Sequence, residues 1–144
     1  MTVAQPSDDS VRCLVLLAGQ IRCAVPVHQV RQVVRASSVF LLPGSAPELL
    51  GLAELGGEPV PVLDLARLVQ APPGGTPSCP VHVIAEVGPQ GRRERIALAA
   101  DAAEAIVWIT VGSVVGPPSG LVRGETMAAG HPVSLLDLDA LEEP

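Results

Sequence analysis

The stretch GLAELGGEPVPVLDLARLV, Gly51 to Val69, decides how this chain is read. It has the valine- and leucine-rich character of a β-strand, yet Pro59 and Pro61 offer no N–H to a hydrogen-bonded ladder. Residues two apart in a strand face the same side, so the two prolines share one side and Val60 and Val62 the other. This arrangement predicts an edge strand, a bulge or a sharp bend rather than a central strand. Sheet edges are also where partners are recruited.

The same unit appears twice. Gly57-Glu58-Pro59-Val60, then Leu63-Asp64-Leu65 and Leu68, recurs as Gly130-His131-Pro132-Val133, then Leu136-Asp137-Leu138 and Leu141, at a constant offset of 73. Pro61 has no counterpart, because Ser134 takes its place. Upstream, IRCAVP and RIALAAD align at an offset of 75, which puts Ile21 on Ile96. A period this long exceeds that of solenoid repeats and predicts two related β-subdomains. Asp64 and Asp137 each precede a short apolar segment, and their carboxylates are suited to cap its free N–H groups. Short strands punctuated by Gly and Pro point to small barrels.

Around these units, VRCLVLL and IRCAV flank Gly19 as a hairpin, and VHVIAEV and ERIALAA form a second one around GPQGRR. PVHQVRQVV places Val27, Val30, Val33 and Val34 at helical spacing behind Pro26, predicting a short helix weakened by β-branching. VFLLPG reads as a strand, SAPELLGLAEL as a loop or helical turn, and DAAEAIVWI as either helix or strand. The Pro- and Gly-dense segment Gln70 to Pro80 is the main linker, and GPPSG precedes a final strand and short helix. Residues 1–10 read as a disordered lead and 11–144 as a single domain.

Composition narrows the function. The chain has 144 residues, 48% of them hydrophobic, with one Phe, one Trp and no Tyr, so its core must be aliphatic. A net charge of -6 with only 9 basic residues, all arginine, argues against nucleic acid, which needs a basic face. The opening residues lack the features of a signal peptide, and the longest unbroken apolar run, Cys13 to Ala18, is too short to span a bilayer. These features predict a cytoplasmic protein with its 3 cysteines as reduced thiols.

With the repeat and linker in place, the chain resembles the CheW family of chemotaxis coupling proteins. The family pattern, roughly G-x-x-N-L-R-G-x-x-x-P-V-x-D-L, is met by Gly51, Glu54, Leu55, Gly56, Gly57, Pro61, Val62, Asp64 and Leu65. The spacing back to CAVPVHQVRQVV fits without gaps, VSLLDLDAL fits the closing strand and helix, and the resemblance runs from about Val11 to Leu141. It implies a mainly β fold: two five-stranded, SH3-like β-barrel subdomains around a shared core, with short helices. It also implies a noncatalytic adaptor, without cofactor, that bridges the cytoplasmic tips of methyl-accepting chemoreceptors to the regulatory domain of a CheA-type histidine kinase within receptor arrays. The resemblance implies that the groove between subdomains meets the receptor and that sheet edges meet the kinase. The partner-binding residues Val27, Val30, Val33, Gly51, Glu54, Gly56 and Gly57 then lie in or near the receptor-facing region, while any one of the valines taken alone is better explained as core.

Three departures bear on partners. Gly56 stands where the family commonly has an arginine, Gln32 where an acid is common, and the chain after VVGPP reaches SGLVRG through fewer residues. The loss of a rigid guanidinium and a connecting segment puts kinase contact in question and suggests a divergent coupler resembling the FrzB branch. Other chemistries fare worse. His28, His82, His131 and the cysteines lack zinc-site spacing. GLVRGET lacks the lysine and glycine spacing of a phosphate loop, and GRRER is a charged hairpin tip. Asp64 and Asp137 are better explained as caps than as a catalytic pair. The alternative function is an orphan β-barrel module that binds a small ligand, which needs an apolar pocket with converging polar groups.

Overall fold

A computed structural model describes residues 9–36, 38–44, 46–71, 80–88, 94–116, 118 and 120–141. Ten strands form two five-stranded sheets. They are β1 (Ser10–Ala18), β2 (Ile21–Pro26), β3 (Val30–Arg35), β4 (Leu49–Leu55), β5 (Glu58–Asp64), β6 (Val81–Val87), β7 (Glu94–Ala100), β8 (Ala102–Thr110), β9 (Val122–Ala128) and β10 (His131–Leu136). One sheet has the order β8-β1-β2-β10-β9, the other β3-β6-β7-β5-β4. Short 3₁₀ turns at Val27–Gln29, Val111–Ser113 and Leu138–Ala140 and one helical turn, α1 (Leu65–Leu68), complete the described elements.

The sequence repeat and the sheet are different units. Each sheet takes one hairpin from one half of the chain (β1–β2 or β6–β7) and three strands from the other half (β8 to β10 or β3 to β5). Each hairpin meets the other half's last strand in parallel, Leu135 opposite Ala24 and Val62 opposite Ala97. The ladders do not close, but the barrels are drawn together at their ends. Past β8, Val115 exchanges two 2.8 Å backbone bonds with Glu125 on β9, and past β3, Phe40 bonds Leu52 on β4 at 2.7 and 2.9 Å. Ser113 and Thr126 hydroxyls meet at 2.8 Å across the first of these junctions.

Three apolar cores result. Ala53, Val60, Val62, Ile84, Ala97 and Ala99 fill one barrel, and Cys13, Ala24, Ile109, Val133 and Leu135 the other. The third lies between them: Leu14, Leu16, Cys23 and Val25 from the first hairpin meet Val83, Ala85, Ile96 and Leu98 from the second. Both hairpins are thus buried on both faces, which is why their strands read as continuous apolar runs rather than as alternation. Leu65 and Leu138, the leucines that follow the two aspartates, are fully buried in this shared core.

The two prolines of β5 find their explanation here. β5 is an inner strand, flanked by β4 and β7, not the edge strand that its prolines predict. Leu52 spends its N–H and C=O on Phe40, on the far side of β4, so the Leu52–Pro61 pair is a non-hydrogen-bonded position of the β4–β5 ladder. Glu54–Pro59, two residues along, is the same. On its other side, β5 pairs with β7 only from Val62 to Asp64. Neither proline therefore withholds a donor that a neighbouring strand requires. The bulge lies on β4, at Leu50, and recurs at Arg123 on β9.

Other expectations are corrected. The predicted helix over Val27 to Val34 is a 3₁₀ turn of three residues followed by β3, because β-branched valines gain more from pairing with β6 than from an isolated helix. VFLLPG contributes only the Phe40 bridge, its leucines being exposed and followed by Pro43 and Gly44. SAPELLGLAEL, read as loop or helical turn, ends in strand β4. DAAEAIVWI is strand, and the region after GPPSG holds two strands, β9 and β10. Ser10 already belongs to β1, while residues 1–8 of the predicted lead lie outside the described residues.

Gly51 and Gly124 mark the same tight crossing in the two repeats. At Gly51 (φ 153°) an added Cβ would sit 2.2 Å from the Phe40 carbonyl oxygen, and at Gly124 (φ 156°) it would sit 2.8 Å from that of Val115. Gly51→Ala is expected to destabilise the protein by about 2–4 kcal/mol, because a backbone atom cannot move aside as a flexible side chain does, and Gly124→Ala by less, because its carbonyl clash at 2.8 Å is milder than the 2.2 Å one at Gly51. Urea denaturation of the two variants checks the order.

His82 supplies a second expectation. It is 2% exposed, faces Val34 on β3 and Ala99 on β7, and its Nδ1 has no hydrogen-bond partner. Burial disfavours the imidazolium and holds its pKa below the usual imidazole range. Above about pH 6.5 both folded and unfolded His82 are neutral; as pH falls below this, the unfolded chain takes up the proton first and stability drops. Between about pH 7.5 and 5, His82→Leu should lose less melting temperature than the parent. Parallel thermal melts would show this as a narrowing gap or a crossover.

Candidate functional site

The residues that the resemblance assigns to partners fall into two groups on one sheet. Val27 lies in the 3₁₀ turn and Val30 opens β3; both are half-buried against the shared core. Val33, farther along β3, is 44% exposed. Among the described residues β3 is an outer strand whose one strand partner is β6, and most of its side chains face solvent. Val27 also lines a shallow depression with Ser10, Val11, Arg12 and His28.

The second group, Gly51, Glu54, Gly56 and Gly57, sits at the opposite outer strand, on and around the β4–β5 hairpin. Gly56 and Gly57 are the two central residues of the turn, with φ of 59° and 85°, the signature of a type I′ hairpin. Ala129 and Gly130 repeat it at 51° and 81° in the β9–β10 hairpin. Glu54 and Gly57 line a cleft of about 300 Å³ with Phe40, Leu52, Ala53 and Pro59. The structure brings these residues together with Phe40, and keeps them at the other end of the strand order from the valines.

Sequence reasoning missed the exposed apolar side chains of both sheets. Phe40 (66%), Leu41 (78%), Trp108 (52%) and Met127 (65%) are exposed, and none was singled out as a contact residue. The sequence carries one Phe and one Trp, a rarity that marks both residues but does not say which face of a strand either occupies. Trp108 lies on β8, directly opposite Arg12, and β8 occupies in its sheet the outer position that β3 occupies in the other.

Ion pairs run between strands within each sheet. Arg31 on β3 and Arg95 on β7 flank Glu86 on β6 at 2.8 and 4.0 Å, and Glu58 on β5 lies 3.9 Å from Arg95. The Glu86 carboxylate raises the Arg31 pKa further, through its hydrogen bond and its charge. In the other sheet, Arg22 pairs with Glu104 at 2.8 Å. Such exposed pairs set orientation more than stability.

The remaining candidates are placed as follows. The Asp64 carboxylate accepts from the Ala66 N–H at 3.2 Å, and Asp137 from the Asp139 N–H at 3.1 Å. Asp139 also accepts from the Gln29 amide at 3.1 Å and the Gly88 N–H at 3.0 Å, and Asp101 accepts from the Gly19 N–H at 2.8 Å, tying hairpin turns to distant segments. Cys13 and Cys23 lie on adjacent strands but belong to different cores, and burial pushes their thiols up to about 11 and about 12. Cys79 lies outside the described residues, as do 91–93 of GRRER. Among the described residues no three His, Cys, Asp or Glu side chains come together as a metal site, and no helix is long and apolar enough to cross a membrane.

Comparison with known proteins adds to this geometry. The family model described as CheW-like domain matches residues 12–143. The crystal structure of the scaffolding protein TtCheW from Thermoanaerobacter tengcongensis superposes with a TM-score of 0.74 at 20% identity, over 89% of each chain. A search of curated protein sequences finds no match.

Val30 and Val33 separate core from surface. Val33→Glu is expected to change stability by no more than about 0.5 kcal/mol, whereas Val30→Glu, which forces a carboxylate against the shared core, should cost about 2 kcal/mol or more. Denaturant midpoints of the pair give the comparison.

Proposed function

The chain belongs to the CheW-like domain family, and from that membership we propose that it is a noncatalytic adaptor of a chemosensory system, bound to the cytoplasmic tips of methyl-accepting chemoreceptors. On this reading it works in the cytoplasm beside receptor arrays. The observation that carries the proposal is β3: an outer strand paired on one side only, with Val33 exposed between Arg31 and Arg35. A strand edge offers backbone donors and acceptors in a row, and an exposed valine among arginines offers an apolar anchor with a polar rim. The depression at Val27 extends this surface onto the 3₁₀ turn.

The β4–β5 hairpin is proposed as the weaker, kinase-facing site. Its cleft holds Glu54 and Gly57 beside exposed Phe40, while Gly56 contributes no charge where relatives commonly place an arginine. Space is not the obstacle: an added Cβ at Gly56 meets nothing within 4 Å. Its φ of 59° is the left-handed region, which costs a side chain about 1 kcal/mol. Ala129 accepts that conformation in the equivalent turn. The small-ligand alternative is disfavoured at the depression beside Val27 and at the Phe40 cleft, which lie open to solvent, since a ligand site buries most of its occupant. That alternative is left the more enclosed cavity of about 350 Å³ where Gln70, Glu125 and Ser134 meet Leu68 and Val122.

Affinity capture of the tagged protein from its own cells, with receptor and kinase quantified, tests the reading. Receptor enrichment that is lost in Val33→Glu supports it; recovery of neither receptor nor kinase overturns it. Gly56→Arg should raise kinase recovery severalfold at a stability cost of about 1 kcal/mol. Unchanged recovery would place the deficit in the short segment after Pro118.

A further inference from the structure

Of the eight ladders in the two sheets, four join residues 9–71 to residues 80–141: β1 with β8, β2 with β10, β3 with β6 and β5 with β7. The cores are divided in the same way. Cys13 and Ala24 need Ile109, Val133 and Leu135 to fill one barrel, and Ala53, Val60 and Val62 need Ile84, Ala97 and Ala99 to fill the other. The shared core is lined from both sides. Specific polar links also run between the halves: Arg22 to Glu104, Arg31 to Glu86, Gln29 to Asp139 and the Gly19 N–H to Asp101. Separated, each half is a pair of hairpins and a loose outer strand with every apolar face uncovered. One connection, the Pro- and Gly-dense segment between Gln70 and Pro80, joins them.

We propose that the surface between the halves is a complete protein–protein interface, occupied in cis by the chain's own second half and able to take the same half from a second copy of this chain. Two chains that exchange residues 80–141 rebuild every ladder and core described above, each made twice, and differ from two monomers only in the path of the connecting segment. Such exchange costs little in contacts, because the new interface is the old one. The tether favours the closed monomer at low protein concentration by holding the complementary half at an effective concentration in the millimolar range. The inference rests on sheet topology and not on the adaptor reading, so receptor binding does not bear on it.

The test uses the full chain with a protease site inserted between Gly74 and Gly75, folded and purified before it is cut. Cut protein is prepared both unlabelled and uniformly ¹⁵N-labelled, and the two are mixed, warmed to near the melting midpoint and cooled. The expected result by native mass spectrometry is complexes of one N-terminal and one C-terminal fragment, with about half of them hybrids of labelled and unlabelled partners, as random re-pairing requires. The midpoint should also rise with protein concentration, as it does for a two-component fold. Fragments that separate as folded species, fragments that precipitate on cutting, or complexes that never exchange partners would each overturn the proposal.

Discussion

The constraint on which the rest depends is the burial of two hairpins on both faces. β1–β2 and β6–β7 each present one side to a barrel interior and the other to the core between the sheets. With almost no aromatic volume available, that space is filled by Leu, Val, Ile, Ala and Cys, which suit close packing of thin sheets but leave nowhere for a polar group without a partner. Gln29, buried at 6% exposure, meets the requirement through Asp139, whereas the orphaned Nδ1 of His82 does not. The Leu-Asp-Leu units serve the same core. Each aspartate accepts the N–H of a short turn, and that turn drives Leu65 or Leu138 into the space between the sheets.

Because the central strands are consumed by packing, the surfaces left for partners are the outer strands and hairpin ends. β3 and β8 carry few buried residues, expose Val33 and Trp108, and are the strands that cross from one half's hairpin to the other half's sheet. The β4–β5 and β9–β10 hairpins share a turn geometry yet differ in what they show to solvent: Phe40 and Glu54 on one, Val115 and Met127 on the other. One backbone plan thus offers two related but chemically distinct ends.

The misread segments share a cause. Val27 to Val34 has the spacing of a helix, but helical periodicity over eight residues is a weak signal when four of the residues are β-branched and an unpaired strand waits in the other half of the chain. The prolines of β5 suggested an edge because proline removes a donor. They sit in an inner strand because Leu52 turns its backbone groups toward Phe40 and because β7 joins β5 only past Pro61. Both facts concern partners distant in sequence, so no local pattern carries them. The exposure of Phe40 and Trp108 was hidden in the same way, since an apolar residue does not say which face of a strand it occupies until the register is known.

By itself the sequence determined the β class, the aliphatic core, the 73-residue recurrence of Gly-x-Pro-Val and Leu-Asp-Leu, two of the hairpins, β1–β2 and β6–β7, and the likeness to CheW proteins. All are local properties of composition, turn chemistry and spacing, which act over a few residues. Tertiary structure alone decided that the repeats exchange strands, so that neither sheet belongs to one repeat, and that the assigned contact residues divide between the two ends of one sheet. The physical reason is that strand pairing is non-local. A strand's sequence specifies that it must be paired and which face must be buried, while its partner is chosen by the burial of the whole chain.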